Sequence, residues 1–118
     1  MSRRQDEAWG RAAEHLAAWS LRARGYRILA RRFRTPLGEI DLIARRGDLV
    51  AFVEVKARGD LEQALQAVGP RQRARTARAA EVFLLRHPAL TGCTLRFDLM
   101  AVRPWRLPHH LADAWRLG

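Results

Sequence analysis

Residues 38–56 read GEIDLIARRGDLVAFVEVK, two runs of alternating side chains on either side of a short turn. Both runs are rich in Ile, Leu, Val and Phe, which is typical of β-strands. Arg46-Gly47 between them predicts a tight hairpin turn. The stretch therefore predicts two adjacent antiparallel strands, over residues 39–45 and 49–57.

The predicted hairpin separates charged from apolar side chains. With a turn at Arg46-Gly47, Glu39 faces Glu54 and Asp41 faces Phe52, and alternation assigns each residue to a face. The charged face comprises Glu39, Asp41, Glu54 and Lys56. The opposite face is apolar and comprises Ile40, Leu42, Ala44, Ala51, Val53 and Val55. Ile43, Val50 and Phe52 also lie on the charged face, so that face is predicted to be partly covered.

Three carboxylates on a partly covered face repel one another and lose hydration, and a single lysine cannot neutralise them. A hard divalent cation can, because Mg²⁺ takes one or two carboxylates together with water and phosphate oxygens. The pattern predicts that Asp41 and Glu54 hold Mg²⁺ or Mn²⁺, that Lys56 assists the attacking water, and that Glu39 supports them. A solvated hairpin whose charges face water is the alternative.

The remaining sequence predicts one α/β domain over residues 1–118, in the order α-β-β-β-α-β with a short C-terminal helix. Helices are predicted over residues 4–24, 70–86 and 109–116, a helical turn over 61–68, and further strands over 26–34 and 94–102. The third and fourth strands are predicted to pair in parallel across the helical crossover, which gives a mixed central sheet flanked by helices. The apolar stripe predicted for the first helix is Trp9, Ala12, Ala13, Leu16, Trp19, Ser20 and Ala23.

Charge indicates the class of partner. The chain has 22 Lys and Arg against 12 Asp and Glu, a net charge of +10, and a pI near 11.6. A small domain this basic attracts polyanions, so nucleic acid is the predicted partner. Ribosome association, an acidic protein partner and an Arg-rich genome are the alternatives. The last is pertinent because Lys56 is the sole lysine among these cations.

Two features supplement the cluster. Arg71, Arg75 and Arg78 are spaced to form one stripe on the second long helix, which suits a phosphate backbone or simply a solvated face. Arg32 and Arg34, on the first strand, are also assigned to the predicted nucleic-acid surface.

The single cysteine, Cys93, suits a reducing compartment, and no apolar run is long enough for a membrane helix or a secretion signal. We therefore expect a cytoplasmic protein with no membrane association.

The sequence also resembles known nucleases. Asp41, followed after a gap by Glu54-Val55-Lys56, resembles the D…E-x-K signature of the restriction-endonuclease-like superfamily. The segments GYRIL (25–29), GEIDLIA (38–44), FVEVK (52–56) and RFD (96–98) together resemble the YraN-like family of small bacterial proteins. The resemblance implies a restriction-endonuclease-like fold and a metal-dependent nuclease similar in layout to archaeal Holliday-junction resolvases, with Asp41, Glu54 and Lys56 at its centre.

The resemblance has further implications for individual residues. In resolvase-like relatives a helix Glu reaches the metal site, which gives Glu14 a supporting role; an exposed Glu paired with an Arg is the alternative. Arg32 stands where relatives usually carry Asn, and Gln72 where they often carry Lys. Branched or structured DNA is the implied substrate, and its resolution would need a homodimer. A non-catalytic nucleic-acid-binding module and a basic adaptor for an acidic protein are the rival functions.

Overall fold

The computed structural model describes residues 2–116 and contains one five-stranded sheet with helices on both faces. The helices are α1 (Arg3–Ala23), α2 (Leu61–Ala67) and α3 (Pro70–Arg86), and a 3-10 turn spans Pro88–Leu90. The strands are β1 (Arg27–Thr35), β2 (Gly38–Arg46), β3 (Leu49–Lys56), β4 (Thr94–Ala101) and β5 (His109–Trp115). Strand order follows chain order; β3 and β4 pair in parallel and the other neighbours antiparallel. The predicted mixed sheet is confirmed.

Helices cover the two faces of the sheet unequally. α1 packs alone on one face, where its alanines and Leu21 meet Leu42, Val53 and Met100. α3 lies on the other face against Ile43 and Phe52, and α2 lies beside it over β4 and β5. None of the helices in residues 2–116 is long and apolar enough to cross a membrane.

The predicted C-terminal helix over residues 109–116 is wrong, because this segment forms the edge strand β5. Leu111 and Trp115 are four residues apart, a spacing that places side chains on one face of either a helix or a strand. The exposed edge of β4 decides between them, since its backbone groups need hydrogen-bond partners. β5 supplies those partners, and Trp115 is buried against α2 and β4.

The β2–β3 hairpin forms in a register two residues from the predicted one. Leu42 pairs with Val53 and Arg46 with Leu49, so the turn residues are Gly47-Asp48. Gly47 takes a φ of 60°, a left-handed conformation that glycine adopts without strain. A slip of two residues leaves the face of every side chain unchanged, so Glu54 and Lys56 still share a face with Phe52.

One residue of the predicted apolar face lies on the other side. Ile40 packs with Ile43 in the cluster beneath α3, although an odd spacing of three positions would place them on opposite faces of a regular strand. The alternation of β2 therefore reverses between these two residues. On β1, the register with β2 shifts between Ile28 and Ala30, and Arg32, which lies opposite Asp41, has a φ of 49°.

The buried face of α1 also differs from the predicted stripe. Ala17, Ala18 and Leu21 are buried, whereas Leu16 and Trp19 are exposed. Small side chains let the helix approach the sheet closely, so they outweigh the larger apolar residues here. This rotation turns Glu14 toward the sheet.

Candidate active site

Asp41 lies where β2 and β3 separate. The ladder between these strands ends at Leu42 and Val53, although β2 begins at Gly38. The Val55 N–H, which would otherwise meet a carbonyl of β2, donates to Asp41 Oδ2 at 2.8 Å. The local opening of the hairpin therefore both positions the Asp41 carboxylate and holds it partly buried between two strands.

Glu54 and Lys56 are linked through a side chain of α3. Gln72 Nε2 donates to Glu54 Oε1 at 2.6 Å, and Lys56 Nζ lies 3.5 Å from both Glu54 Oε1 and Gln72 Oε1. The Glu54 side chain is 13% exposed and that of Lys56 is 26% exposed. Gln72 thus fixes the orientation of the carboxylate and the ammonium relative to each other.

The two carboxyl groups carry more negative charge than their surroundings stabilise. Burial, and after it the Glu54 charge, raise the pKa of Asp41 to about 8, against the opposing effect of the Val55 N–H. Burial also raises the pKa of Glu54, against the opposing effects of Lys56 and Gln72. Asp41 and Glu54 are close enough to share a hydrogen bond when one is protonated. Near neutral pH the pair therefore tends to keep a proton, which a cation can replace.

Glu14 and Arg32 form an ion pair beside this cluster. Arg32 Nε lies 2.6 Å from Glu14 Oε2, and this hydrogen bond, then the charges of Glu14 and Asp41, raise the pKa of Arg32. Glu14 is close enough to raise the pKa of Asp41. Arg32, whose side chain is 41% exposed, therefore lies beside the carboxylates, and Glu14 is paired with an Arg at the edge of the cluster. The left-handed backbone at Arg32 is one that Asn adopts more readily.

The predicted residues of β1 and β2 at the mouth are more exposed. Glu39 Oε2 lies 3.5 Å from Arg34 Nε, and both side chains are mostly in solvent. Such a pair contributes little to stability and can exchange partners readily.

Asp41 and Glu54 lie in a cavity of about 430 Å³ between β2, β3 and α3. The lining residues are Glu39, Asp41, Glu54, Gly69, Arg71, Gln72, Arg75 and Thr76. Arg71 and Arg75 are exposed on α3, and Arg78, one turn on, is exposed outside the lining. These three arginines have no ion-pair partner within residues 2–116. The cavity therefore has acidic groups and a basic edge.

A glycine sets the distance between α3 and the sheet. A Cβ on Gly38 would lie 2.1 Å from the carbonyl oxygen of Arg75. Gly38 also lies at the start of β2, where Thr35 Oγ1 accepts its N–H at 3.0 Å. Backbone contact thus fixes the width of the cavity on this side.

Asp41 and Glu54 supply two of the oxygen ligands that a hard divalent cation needs, but not a complete set. No group of three or more His, Cys, Asp or Glu side chains in the described part of the chain has the arrangement of a complete metal site. Two carboxylates are nevertheless what Mg²⁺ requires from a protein when water and substrate phosphate complete its octahedron. The excess negative charge at Asp41 and Glu54 fits such an ion.

A second network of charged side chains lies at β4, around the single carboxylate of Asp98. Asp98, fully buried, accepts Arg96 Nε at 2.7 Å and Arg96 NH2 at 2.6 Å, and contacts His110 Nε2 at 2.7 Å. The Asp113 N–H also donates to it at 3.0 Å, and Arg96 reaches the Tyr26 hydroxyl. The sequence indicated a structural hydrogen-bond or charge partner for Asp98 on its strand, but it identified neither those partners nor the Gln72 bridge, because both depend on elements distant in the chain.

The fold and the cluster together define a class: a small, basic, mixed α/β protein with two partly buried carboxylates and a lysine where two strands separate. Residues 13–102 match the model of "Uncharacterised protein family UPF0102", and the chain belongs to this family. The UPF0102 protein of Paramagnetospirillum magneticum is 54% identical over 112 residues, 92% of this chain and 87% of the relative. That of Chelativorans sp. is 52% identical over 115 residues, 98% and 93% of the two chains. The matched family region includes every carboxylate of the cluster.

Proposed function

We propose that this protein is an endonuclease that uses Mg²⁺ or Mn²⁺ to hydrolyse phosphodiester bonds in DNA of branched or otherwise structured form. The observation that carries the proposal is the pair of partly buried, like-charged carboxylates beside a lysine, in a cavity edged by arginines. A fold that places uncompensated charge in a cavity favours a cation there, and a basic edge favours a polyanionic substrate.

Each residue has a role in this proposal. Asp41 and Glu54 would hold the metal ion, which when bound polarises phosphate and lowers the pKa of water. Lys56 would direct its ammonium toward the attacking water and the phosphate oxygens, because it lies beside Glu54. Gln72 keeps Glu54 oriented, and Glu14 and Glu39 support the charge balance. Hydrolysis adds water across one P–O bond and leaves a phosphate and a hydroxyl end.

The arginines would position the substrate. Arg71 and Arg75 line the cavity and Arg78 continues their row along α3, so phosphates of a strand could contact all three. Arg34, at the mouth, could join them by exchanging its Glu39 partner. Cleavage of a four-way junction needs two sites, so a homodimer is part of the proposal for that substrate, and Cys93 makes the cytoplasm the proposed compartment.

The test is a cleavage panel of single-stranded, duplex, flap and four-way DNA with Mg²⁺, Mn²⁺ or EDTA. Metal-dependent cleavage by the wild type that Asp41→Asn abolishes is the expected result. Asp48→Asn is the matched control, since Asp48 is an exposed aspartate at the other end of the same hairpin. Cleavage that survives Asp41→Asn, or that requires no metal, would contradict the proposal.

A non-catalytic nucleic-acid-binding module is the second candidate. Lys56, Gln72 and Arg32 already contact the carboxylates, so the cluster could serve the fold alone. Absence of cleavage with salt-dependent DNA binding would favour this function. Absence of both would favour the basic adaptor for an acidic protein, which only the net charge supports.

A further inference from the structure

A second surface rich in arginine and tryptophan lies beyond the end of β3. Ala57, Arg58 and Gly59 follow Lys56 directly and form one wall of a cavity of about 620 Å³. Trp9 of α1 forms another wall, and its indole N–H donates to the Ala57 carbonyl, so the ring is fixed in place. Arg58 and Gly59 also line a smaller cavity that includes Lys56, so the two regions are adjacent.

The segment between β4 and β5 closes the far side of this cavity. Arg103, Pro104 and Arg106 line it, and Trp105 between them is fully exposed. Trp105 also has a φ of 64°, a left-handed conformation that is unfavourable for a bulky residue. Neither burial nor backbone preference explains an indole held in solvent this way, which points to a role in binding.

The loop is restrained. Pro104 and Pro108 flank its tip, and Pro108 is buried. Proline fixes its own φ and restricts the residue before it, here Arg103 and Leu107, so the segment that carries Trp105 is stiff on both sides. A restrained aromatic surface loses little conformational entropy when a flat ligand stacks on it.

Charge identifies the ligand. Arg58, Arg103 and Arg106 surround the cavity, with Asp6 as the acidic lining residue, and the three arginines have no ion-pair partner in residues 2–116. An aromatic surface surrounded by cations is the arrangement that binds single-stranded nucleic acid, through base stacking and phosphate contacts. A protein partner would need acidic groups to match the same edge.

We propose that Trp105 stacks on an unpaired base of a nucleic acid whose backbone contacts Arg58, Arg103 and Arg106. The inference rests on the proposed function and refines it: the preferred substrate has a single-stranded segment next to the strand bound at Asp41 and Glu54. Because Arg58 lines both this cavity and the adjacent one that includes Lys56, one nucleic-acid strand would contact Trp105 first, then Arg58, then Lys56.

Binding is tested in EDTA, which separates it from cleavage. The probes are a 16-nucleotide oligo-dT and a blunt duplex of the same length, and the measurements are anisotropy and intrinsic tryptophan fluorescence. Oligo-dT should quench the wild-type fluorescence, and Trp105→Phe should remove most of that quenching. Trp105→Ala should weaken oligo-dT binding by roughly 10-fold, the scale of losing one base stack, and duplex binding by less than about 2-fold. Trp19→Ala and Trp19→Phe are the matched controls, since Trp19 is an exposed tryptophan on α1.

Three outcomes overturn the inference: no quenching, quenching that persists in Trp105→Phe, or equal loss of both probes in Trp105→Ala. Thermal melting checks that each variant folds. We expect all of them to fold, because the side chains of Trp105 and Trp19 are exposed. Failure here with intact metal-dependent cleavage rejects the stacking site alone. Intact preference for oligo-dT without cleavage of any substrate rejects the nuclease alone and leaves this binding site in place.

Discussion

Two aspartates lie on neighbouring regions of the same sheet in opposite electrostatic surroundings. Burial alone would raise the pKa of Asp98, yet hydrogen bonds from His110, Arg96 and the Asp113 N–H lower it. Asp41 accepts one backbone N–H from Val55 and faces Glu54, and its pKa rises to about 8. Within the described residues, hydrogen bonds thus compensate the negative charge of Asp98, whereas the negative charge of Asp41 is not compensated. That difference separates a stabilising network from a candidate reactive site.

The largest expected effect is on the compensated side. Asp98→Asn should lower the free energy of unfolding by roughly 3 kcal/mol, because it leaves Arg96, whose side chain is 17% exposed, without its counter-charge. Asp41→Asn should cost less than about 1 kcal/mol, because the amide resembles the protonated carboxyl and keeps an oxygen that accepts the Val55 N–H. Urea unfolding at pH 7 measures both. Equal losses would show that the two aspartates serve the fold alike.

The next effect contrasts the cations. Arg96 holds Asp98 with two donors, whereas Lys56 is a compact ammonium between Glu54 and Gln72. Lys56→Arg keeps the charge but introduces a larger planar group, and should lower single-turnover cleavage by roughly 10²-fold. Melting temperature and DNA affinity should hardly change. Arg3→Lys, at the exposed start of α1, is the control, and an unchanged rate in Lys56→Arg would contradict the catalytic role proposed for Lys56.

The pH dependence of stability should have opposite signs at the two aspartates. The pKa of Asp41 is raised from 3.8, so its contribution is fully present below about pH 4 and is lost as the pH rises through about 8. The pKa of Asp98 is lowered, so its contribution is present above pH 3.8 and is lost as the pH falls below it.

Unfolding in EDTA at pH 6 and pH 9 tests this sign. The wild type should lose at least about 1 kcal/mol more than Asp41→Asn between these values, the equivalent of one pKa unit. Titrations elsewhere in the chain are common to both proteins and cancel, except that of Glu54, which interacts with Asp41 and belongs to the same difference. Parallel curves would mean that Asp41 is not perturbed.

The smallest expected effect is the change in the salt dependence of DNA binding when the arginines of α3 are replaced. We consider the triple variant in which Arg71, Arg75 and Arg78 are each replaced by Gln. The slope of the logarithm of the duplex binding constant against the logarithm of salt concentration should become less steep by up to about three, if all three arginines contact phosphates. Arg116→Gln should leave the slope unchanged, because Arg116 NH2 is 2.6 Å from Asp113 Oδ2. An unchanged slope in the triple variant would make the row on α3 a solvated face.

Local patterns predicted most of the fold. Pro70 and His87-Pro88 bound α3 at the residues expected, and alternation in β2 and β3 assigned Glu54 and Lys56 to one face despite a two-residue error in register. A period of two explains this tolerance, because only an odd slip reverses the faces.

The misses depend on partners distant in the chain. β5 is a strand because β4 has an open edge, and no local pattern of residues 109–115 records that edge. The reversed alternation at Ile40 has no signal in the local sequence of β2. For the site, alternation along the hairpin and the resemblance to the D…E-x-K signature indicated Asp41, Glu54 and Lys56, whereas the bridge made by Gln72 requires α3 to lie over β3 at a particular height.

The agreement between strand order and chain order has a consequence for synthesis. Each strand pairs only with its predecessor and its successor, so a chain emerging from the ribosome can add strands one at a time from β1 to β5. Asp41, Glu54 and Gln72 are all translated before Asp98 receives His110 and the Asp113 N–H from β5. We therefore expect the half that carries Asp41, Glu54 and Gln72 to assemble first and the β4–β5 edge to close last, an order that pulse-labelled hydrogen exchange during refolding would reveal as late protection of the β5 amides.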